Sequence, residues 1–285
     1  MRVSWITIAV NIALAVFKFT AGIIASSSAI IADAVNSSTD VCGTVIVMIG
    51  VKMSGKESDD DHLYGHERME CVSAIILSAF LFFAGGGIGY SGAIKILSAA
   101  YGALPVPGIL ALIAAITTLV VKETMYWYTR SRAKKIDSVA LMAAAWDHRA
   151  DVLASIGCFI GILGARMGYP VLDPIAAVII CIFIIKAAYN VFREAIGKMT
   201  DRASEESAEE IRAIVSENEG VLGIDLIKTR IFGDKIYVDV EIRADGSLTL
   251  NESHEIAESI HDTIESRVKN VKHCMVHVNP ENGKE

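Results

Sequence analysis

Two short stretches carry side chains that can do chemistry where the surrounding sequence is otherwise apolar. They are "DAVNSSTD" (33–40) and "WDHRAD" (146–151). On a helix, Asp33, Asn36 and Asp40 fall within about 60° of one another and form one stripe. Asp147 and Asp151 are four residues apart and share a face, while Arg149 points elsewhere and His148 is about 100° off Asp147. Charged groups at a bilayer centre cost roughly 2.5–3.5 kcal/mol each on insertion scales, so such groups line a protein-walled path. Carboxylates and an amide carbonyl at this spacing are oxygen donors suited to a hard divalent cation. The competing reading pairs these acids with Arg149 or Lys18 as structural hydrogen-bonders.

The elements that must position them are long apolar runs. A helix needs about 20 apolar residues to cross a bilayer, and six candidates occur, at about 4–25, 28–53, 70–97, 107–129, 138–165 and 171–193. Lys52, Lys56 and Arg68 follow span two, Arg130, Arg132, Lys134 and Lys135 follow span four, and Arg193, Lys198 and Arg202 follow span six. The opposite connections, "ASSS", "SAAYGALPVP" and "RMGYP", have only Lys95 and Arg166 nearby. The positive-inside rule therefore puts both termini and the 54–68 loop in the cytoplasm, in the cell (inner or plasma) membrane. At 1.5 Å per residue, Asn36 lies about 12 Å and Asp40 about 18 Å below the outer face. Asp151 lies about 10 Å and Asp147 about 16 Å below it, so antiparallel spans two and five bring Asn36 level with Asp151 and Asp40 level with Asp147.

Composition agrees with a membrane half and a water-soluble tail. The 285 residues are 53% hydrophobic and 21% charged, with mean hydropathy +0.46. The first 200 residues hold 14 Asp/Glu against 16 Lys/Arg, and the tail holds 19 against 10, which removes any basis for nucleic-acid binding. The five cysteines are scattered without a CxxC and read as small packing residues. The first apolar run reads as a retained helix rather than a signal peptide. In the tail, helical spacing at Ile211, Ile214 and Val215 is followed by two strands joined at "FGD", a helix opening on an Asn/Ser cap in "NESHEIAESIHDTIESRV", and a closing strand, "NVKHCMVHVNP". That αββαβ order predicts a small two-layer α+β domain.

With "DHLYGHERME" (61–70) added to the two stretches above, the chain resembles the cation diffusion facilitator family of divalent-metal/proton antiporters along essentially its whole length. The resemblance implies an α-helical membrane protein of six transmembrane helices with a C-terminal cytoplasmic α+β, ferredoxin-like domain. Residues 1–200 would form the transport domain, and 201–285 a metallochaperone-like dimerisation and regulatory domain. The family's transport quartet maps to Asn36, Asp40, Asp147 and Asp151. Zinc-transporting members carry His in this set; none occurs here, which resembles the manganese-type branch. The resemblance also implies a loop site at Asp59, His62 and His66, an interlocking pair Arg68–Asp201, and a tail site at Glu241, His254 and His277, with His261 and His273 nearby. Expected partners are a second copy of the chain, the lipid bilayer, a divalent metal and protons. No permanently bound cofactor is expected, because the metal is cargo.

Imidazole and thiolate suit Zn²⁺, whereas carboxylate, amide carbonyl and water suit Mn²⁺, with Fe²⁺ close to it. The leading expectation is export of Mn²⁺ in exchange for H⁺, with Fe²⁺ or Zn²⁺/Cd²⁺ efflux by the same fold as the alternative. A membrane-embedded metal sensor without flux is the other class. No HExxH, GxSxG or Walker sequence occurs, so neither a membrane metalloenzyme nor an ATP-driven pump is expected.

Overall fold

The computed structural model describes residues 2–98, 104–135, 139–232 and 235–281. Part of the "SAAYGALPVP" connection, the expected start of span five at 138, and Gly233–Asp234 of the "FGD" turn lie outside them. Six long helices come first: α1 (Arg2–Ile24), α2 (Ser28–Ser54), α3 (Met69–Ser98), α4 (Ile109–Lys135), α5 (Val139–Arg166) and α6 (Leu172–Met199). All six contain stretches long and apolar enough to cross a membrane. Their outward side chains include Ile24, Phe83, Val120, Leu153, Ile160 and Phe183, all exposed. Their buried polar residues include Lys18, Asp33, Lys122, His148 and Asp173. An apolar exterior around a partly polar interior is the arrangement that lipid as solvent demands.

Helix packing here depends on small residues. Ala21, Ala29, Ala32, Ala111, Ala114, Ala115 and Ala177 are essentially inaccessible and form much of the core with Ile30, Cys158 and Ile162. Between helices in lipid there is little hydrophobic drive, so close backbone approach and dispersion hold the contact. A Cβ at Gly161 of α5 would collide with Ala176 of α6, and one at Gly92 of α3 would lie 2.8 Å from Val178 of α6.

The start of α2 is fixed by a residue far away in sequence. The Ser28 backbone N–H donates to Asp173 Oδ2 at 2.6 Å, Ala29 N–H donates to Asp173 Oδ1 at 3.4 Å, and Ser27 Oγ donates to the same Oδ1 at 2.5 Å. Asp173 is 3% exposed. A carboxylate from α6 thus satisfies orphan donors at the N-terminus of α2 and meets the positive end of its dipole.

The tail comprises α7 (Glu205–Ser216), β1 (Gly223–Phe232), β2 (Lys235–Asp245), α8 (Leu250–Arg267) and β3 (Val271–Glu281), the expected αββαβ order. The sheet order is β1-β2-β3, antiparallel between β1 and β2 and parallel between β2 and β3, with α8 as the crossover. Alternate residues Val238, Val240 and Ile242 face a core closed by Ile211 and Val215 of α7 and Ile260 and Ile264 of α8. The cap of α8 differs from the expected Asn/Ser. Thr249 is the N-cap: its N–H donates to Glu252 Oε2 at 2.8 Å and its Oγ1 accepts from the Glu252 N–H. The T-x-x-E sequence satisfies two donors reciprocally, which neither Asn251 nor Ser253 can do.

The edge strand β3 is capped by side chains. His261 Nδ1 donates to the Cys274 carbonyl at 2.6 Å, and Glu265 Oε1 accepts the Cys274 N–H at 3.0 Å. Unpaired edge groups invite pairing with another chain, and this pair of α8 residues closes one such position. Burial pushes the adjacent Cys274 thiol up to about 12, so it stays protonated as a packing residue.

Candidate metal-binding sites

The contacts of the chain cluster into two units, Met1–Ile46 with Ile76–Val191, and Val47–Ile75 with Phe192–Glu285. The intramembrane acids belong to the first. Asn36 Nδ2 donates to Asp151 Oδ1 at 3.4 Å, so α2 and α5 bring together the two residues that depth arithmetic places level. Asp40 lies one turn further along α2, and its Oδ2 is 3.8 Å from Lys122 Nζ. A cavity of about 270 Å³, lined by Asn36, Thr39, Asp40, Gly43, Leu77 and Ile184, adjoins these side chains. Asp147 is exposed. It lies within electrostatic range of Asp40 and Asp151. His148, next to it, is 5% exposed with Nε2 unpartnered. Of the four candidate residues, Asn36 and Asp151 are in hydrogen-bond contact, and the three aspartates lie within electrostatic range of one another.

The alternative partners for these acids are resolved individually. Lys18 Nζ is 2.7 Å from Asp33 Oδ2 and donates to Ser37 Oγ at 2.8 Å, both acceptors on α2. That pair takes Asp33 out of the site and ties α1 to α2. Arg149 pairs with Glu123 of α4, which also accepts from Trp127 Nε1 at 2.9 Å. Among the described residues neither cation forms an ion pair with Asp40 or Asp151, although Lys18 acts on Asp40 electrostatically.

Sequence reasoning missed Lys122. It is fully buried, with Nζ 2.5 Å from Asp151 Oδ2. Its signal was a lysine in apolar surroundings, at "TTLVVKETM" (117–125), inside a span. An intramembrane ionisable residue is a functional candidate wherever it stands.

The second unit holds the remaining candidates. Asp59 Oδ1 is 3.0 Å from His62 Nδ1, and Asp59 Oδ2 is 3.5 Å from His66 Nε2. One donor atom from each of the three lies within 4.8 Å of the others, the compactness a metal needs. Hydrogen bonds from Lys56 and then His62 hold the Asp59 carboxyl well below the usual carboxylate range. Arg68 Nη2 donates to Asp201 Oδ1 at 2.6 Å, and its guanidinium stacks on Phe232 at 4.7 Å. Asp201, two residues past the end of α6, adopts φ 57°, a left-handed conformation that Asp tolerates better than most residues. Lys272 pairs with Glu67, and this bond raises its pKa. In the tail, Glu241 and His277 are register partners on β2 and β3. His254 lies exposed near the start of α8.

Comparison with known proteins places this architecture. Residues 4–199 match the cation efflux transmembrane domain, and residues 203–281 match the cation efflux protein cytoplasmic domain. The uncharacterized transporter YdbO of Bacillus subtilis (strain 168) is 34% identical over 268 residues, covering 94% of this chain and 91% of that one. The manganese efflux system protein MneS of the same organism is 32% identical over 278 residues, covering 96% and 93%. The magnetosome protein MamB of Magnetospira sp. (strain QH-2) is 29% identical over 280 residues, covering 98% and 94%. On this evidence the chain belongs to the cation efflux, or cation diffusion facilitator, family of membrane metal transporters.

Proposed function

We propose that this chain exports Mn²⁺ from the cytoplasm in exchange for protons, through a site formed by Asn36, Asp40, Asp147 and Asp151. The observation that carries the reading is the donor set itself. Asn36 meets Asp151 side chain to side chain, Asp40 faces the same ammonium, and neither imidazole nor thiolate stands among the four. Oxygen donors with room for water suit Mn²⁺, and Fe²⁺ shares that preference. Two relatives, MneS and MneP, each 32% identical, are named for manganese efflux.

Ligation needs ionised carboxylates, so metal and protons compete for the same oxygens. Loading from the cytoplasm releases protons, and protons arriving from the other side release the metal. The positive-inside pattern supports cytoplasmic termini in the cell membrane. Residues 201–285 act as the dimerisation and regulatory domain of a homodimer, beyond a transport domain of residues 1–200. Asp59, His62 and His66 form a loop site, Arg68–Asp201 forms the interlock, and Glu241, His254 and His277 form a tail site.

A second reading rests on His148. It is buried with an unpartnered Nε2, whereas Asp147 is exposed. If α5 turns slightly about its axis in the loaded state, imidazole replaces the Asp147 carboxylate and Zn²⁺ becomes the favoured ion.

Both readings are tested by reconstituting the protein in liposomes and following Mn²⁺, Fe²⁺, Zn²⁺ and Cd²⁺ with metal-sensitive dyes beside a pH dye. Mn²⁺ flux with counter-moving protons supports the first reading. Zn²⁺ flux exceeding Mn²⁺ supports the second, and metal binding without flux overturns both in favour of a sensor.

A further inference from the structure

Lys122 is hydrogen-bonded to one of the proposed transport carboxylates, Asp151, and lies close to a second, Asp40, which sets it apart from the other intramembrane cations with described partners. Lys18 closes on Asp33, and Arg149 closes on Glu123. Lys122 instead stands 2.5 Å from Asp151 Oδ2 and 3.8 Å from Asp40 Oδ2, with its own side chain fully enclosed. Burying a lysine without a partner is prohibitive, so its position is tied to these two acids.

We propose that Lys122 is a fixed internal counter-cation that sets the valence the transport site accepts. The inference rests on the Asn36, Asp40, Asp147 and Asp151 reading above. Three ionised carboxylates and one ammonium leave the site at a formal charge of −2. A divalent ion neutralises that charge, whereas a trivalent ion leaves an excess positive charge in a low-dielectric interior.

The geometry lets metal and ammonium coexist. Lys122 occupies Asp151 Oδ2, on the opposite oxygen from the one facing Asn36. Oδ1 keeps a free lone pair, and rotation of the Asn36 amide presents its carbonyl oxygen in place of Nδ2. Lys122 then remains as an outer partner that orients a ligating carboxylate and weakens its hold on the ion. Weakening matters in a carrier, because an ion held too tightly is not released.

The test uses the full-length protein in detergent. Mn²⁺ binding is read from the EPR signal of free Mn²⁺, and Tb³⁺ is the trivalent competitor. Asp151→Asn serves as the blank for binding at the loop and tail. In Lys122→Gln, or Lys122→Met if Gln folds poorly, Mn²⁺ should bind about tenfold tighter or more, and Tb³⁺ should compete where it does not in the unaltered chain. Lys122→Arg keeps the charge and should restore the original preference.

Unchanged or weaker Mn²⁺ binding in the neutral variants overturns the proposal, as does a Lys122→Arg protein that behaves like Lys122→Gln. If both neutral variants fail to fold while Lys122→Arg folds, the ammonium is a structural anchor and the proposal is also overturned. Wild-type binding in Asp40→Asn and Asp151→Asn would instead show that the four-residue site itself is wrong.

Discussion

Asn36 on α2 and Asp151 on α5 meet at 3.4 Å although 115 residues separate them in the chain. A contact of that kind depends on how far each helix is inserted: sliding α2 by one residue moves Asn36 about 1.5 Å along the axis. The register of α2 is set at its N-terminus, where Asp173 accepts the Ser28 and Ala29 N–H groups. Geometry at the proposed transport residues thus depends on a carboxylate of α6 that is not among them.

Asp173→Ala should therefore destabilise the protein, by about 1–3 kcal/mol, because it strands buried donors and removes a helix cap. Thermal unfolding in detergent measures the loss. Asp173→Asn keeps an acceptor and should lose less. Equal stability of Asp173→Ala and the unaltered chain would contradict the capping role.

The Arg68–Asp201 pair should contribute little to stability despite its 2.6 Å contact. Its side chains are 40% and 46% exposed, and pairs of that exposure couple by about 0–1 kcal/mol. A double-mutant cycle with Arg68→Ala and Asp201→Ala measures the coupling, which should shrink further in high salt. A coupling well above that range would mean that the interlock holds by more than a solvent-screened ion pair.

Glu252 gives a pH prediction for the tail. Hydrogen bonds from the Thr249 backbone N–H, then the Thr249 hydroxyl, lower its pKa from 4.5. A carboxyl depressed in the folded state binds protons more weakly there than in the unfolded chain. Its stabilising contribution is full above the unfolded value and is lost as pH falls through the folded one. Glu252→Gln should therefore be less stable than the unaltered protein at neutral pH and should converge with it in acid. A stability difference that is constant with pH would contradict this assignment.

Spacing along single helices accounts for much of this structure before any contact is known. The six spans follow from apolar length, and the tail order follows from the change between helical and alternating periodicity. Rotation of one helix against another is not encoded in either pattern. That is why neither Lys122 of α4 as the partner of Asp151 nor Asp173 of α6 as the cap of α2 is legible in the sequence. The same limit explains α5: an i, i+4 pair places Asp147 and Asp151 on one face, yet Asp147 is exposed while His148 is buried. The α8 cap is a local matter, decided by the reciprocal Thr249–Glu252 bonds over the nearer Asn251.

Mn²⁺ uptake into liposomes by the unaltered protein, Asp40→Asn, Asp147→Ala, Asp151→Asn and His148→Ala, measured side by side, tests the central claim most directly. An oxygen-donor site predicts that the three aspartate variants lose flux by at least about tenfold, while His148→Ala retains it. Retained flux in Asp147→Ala with loss in His148→Ala would contradict that site and place an imidazole in the transport path.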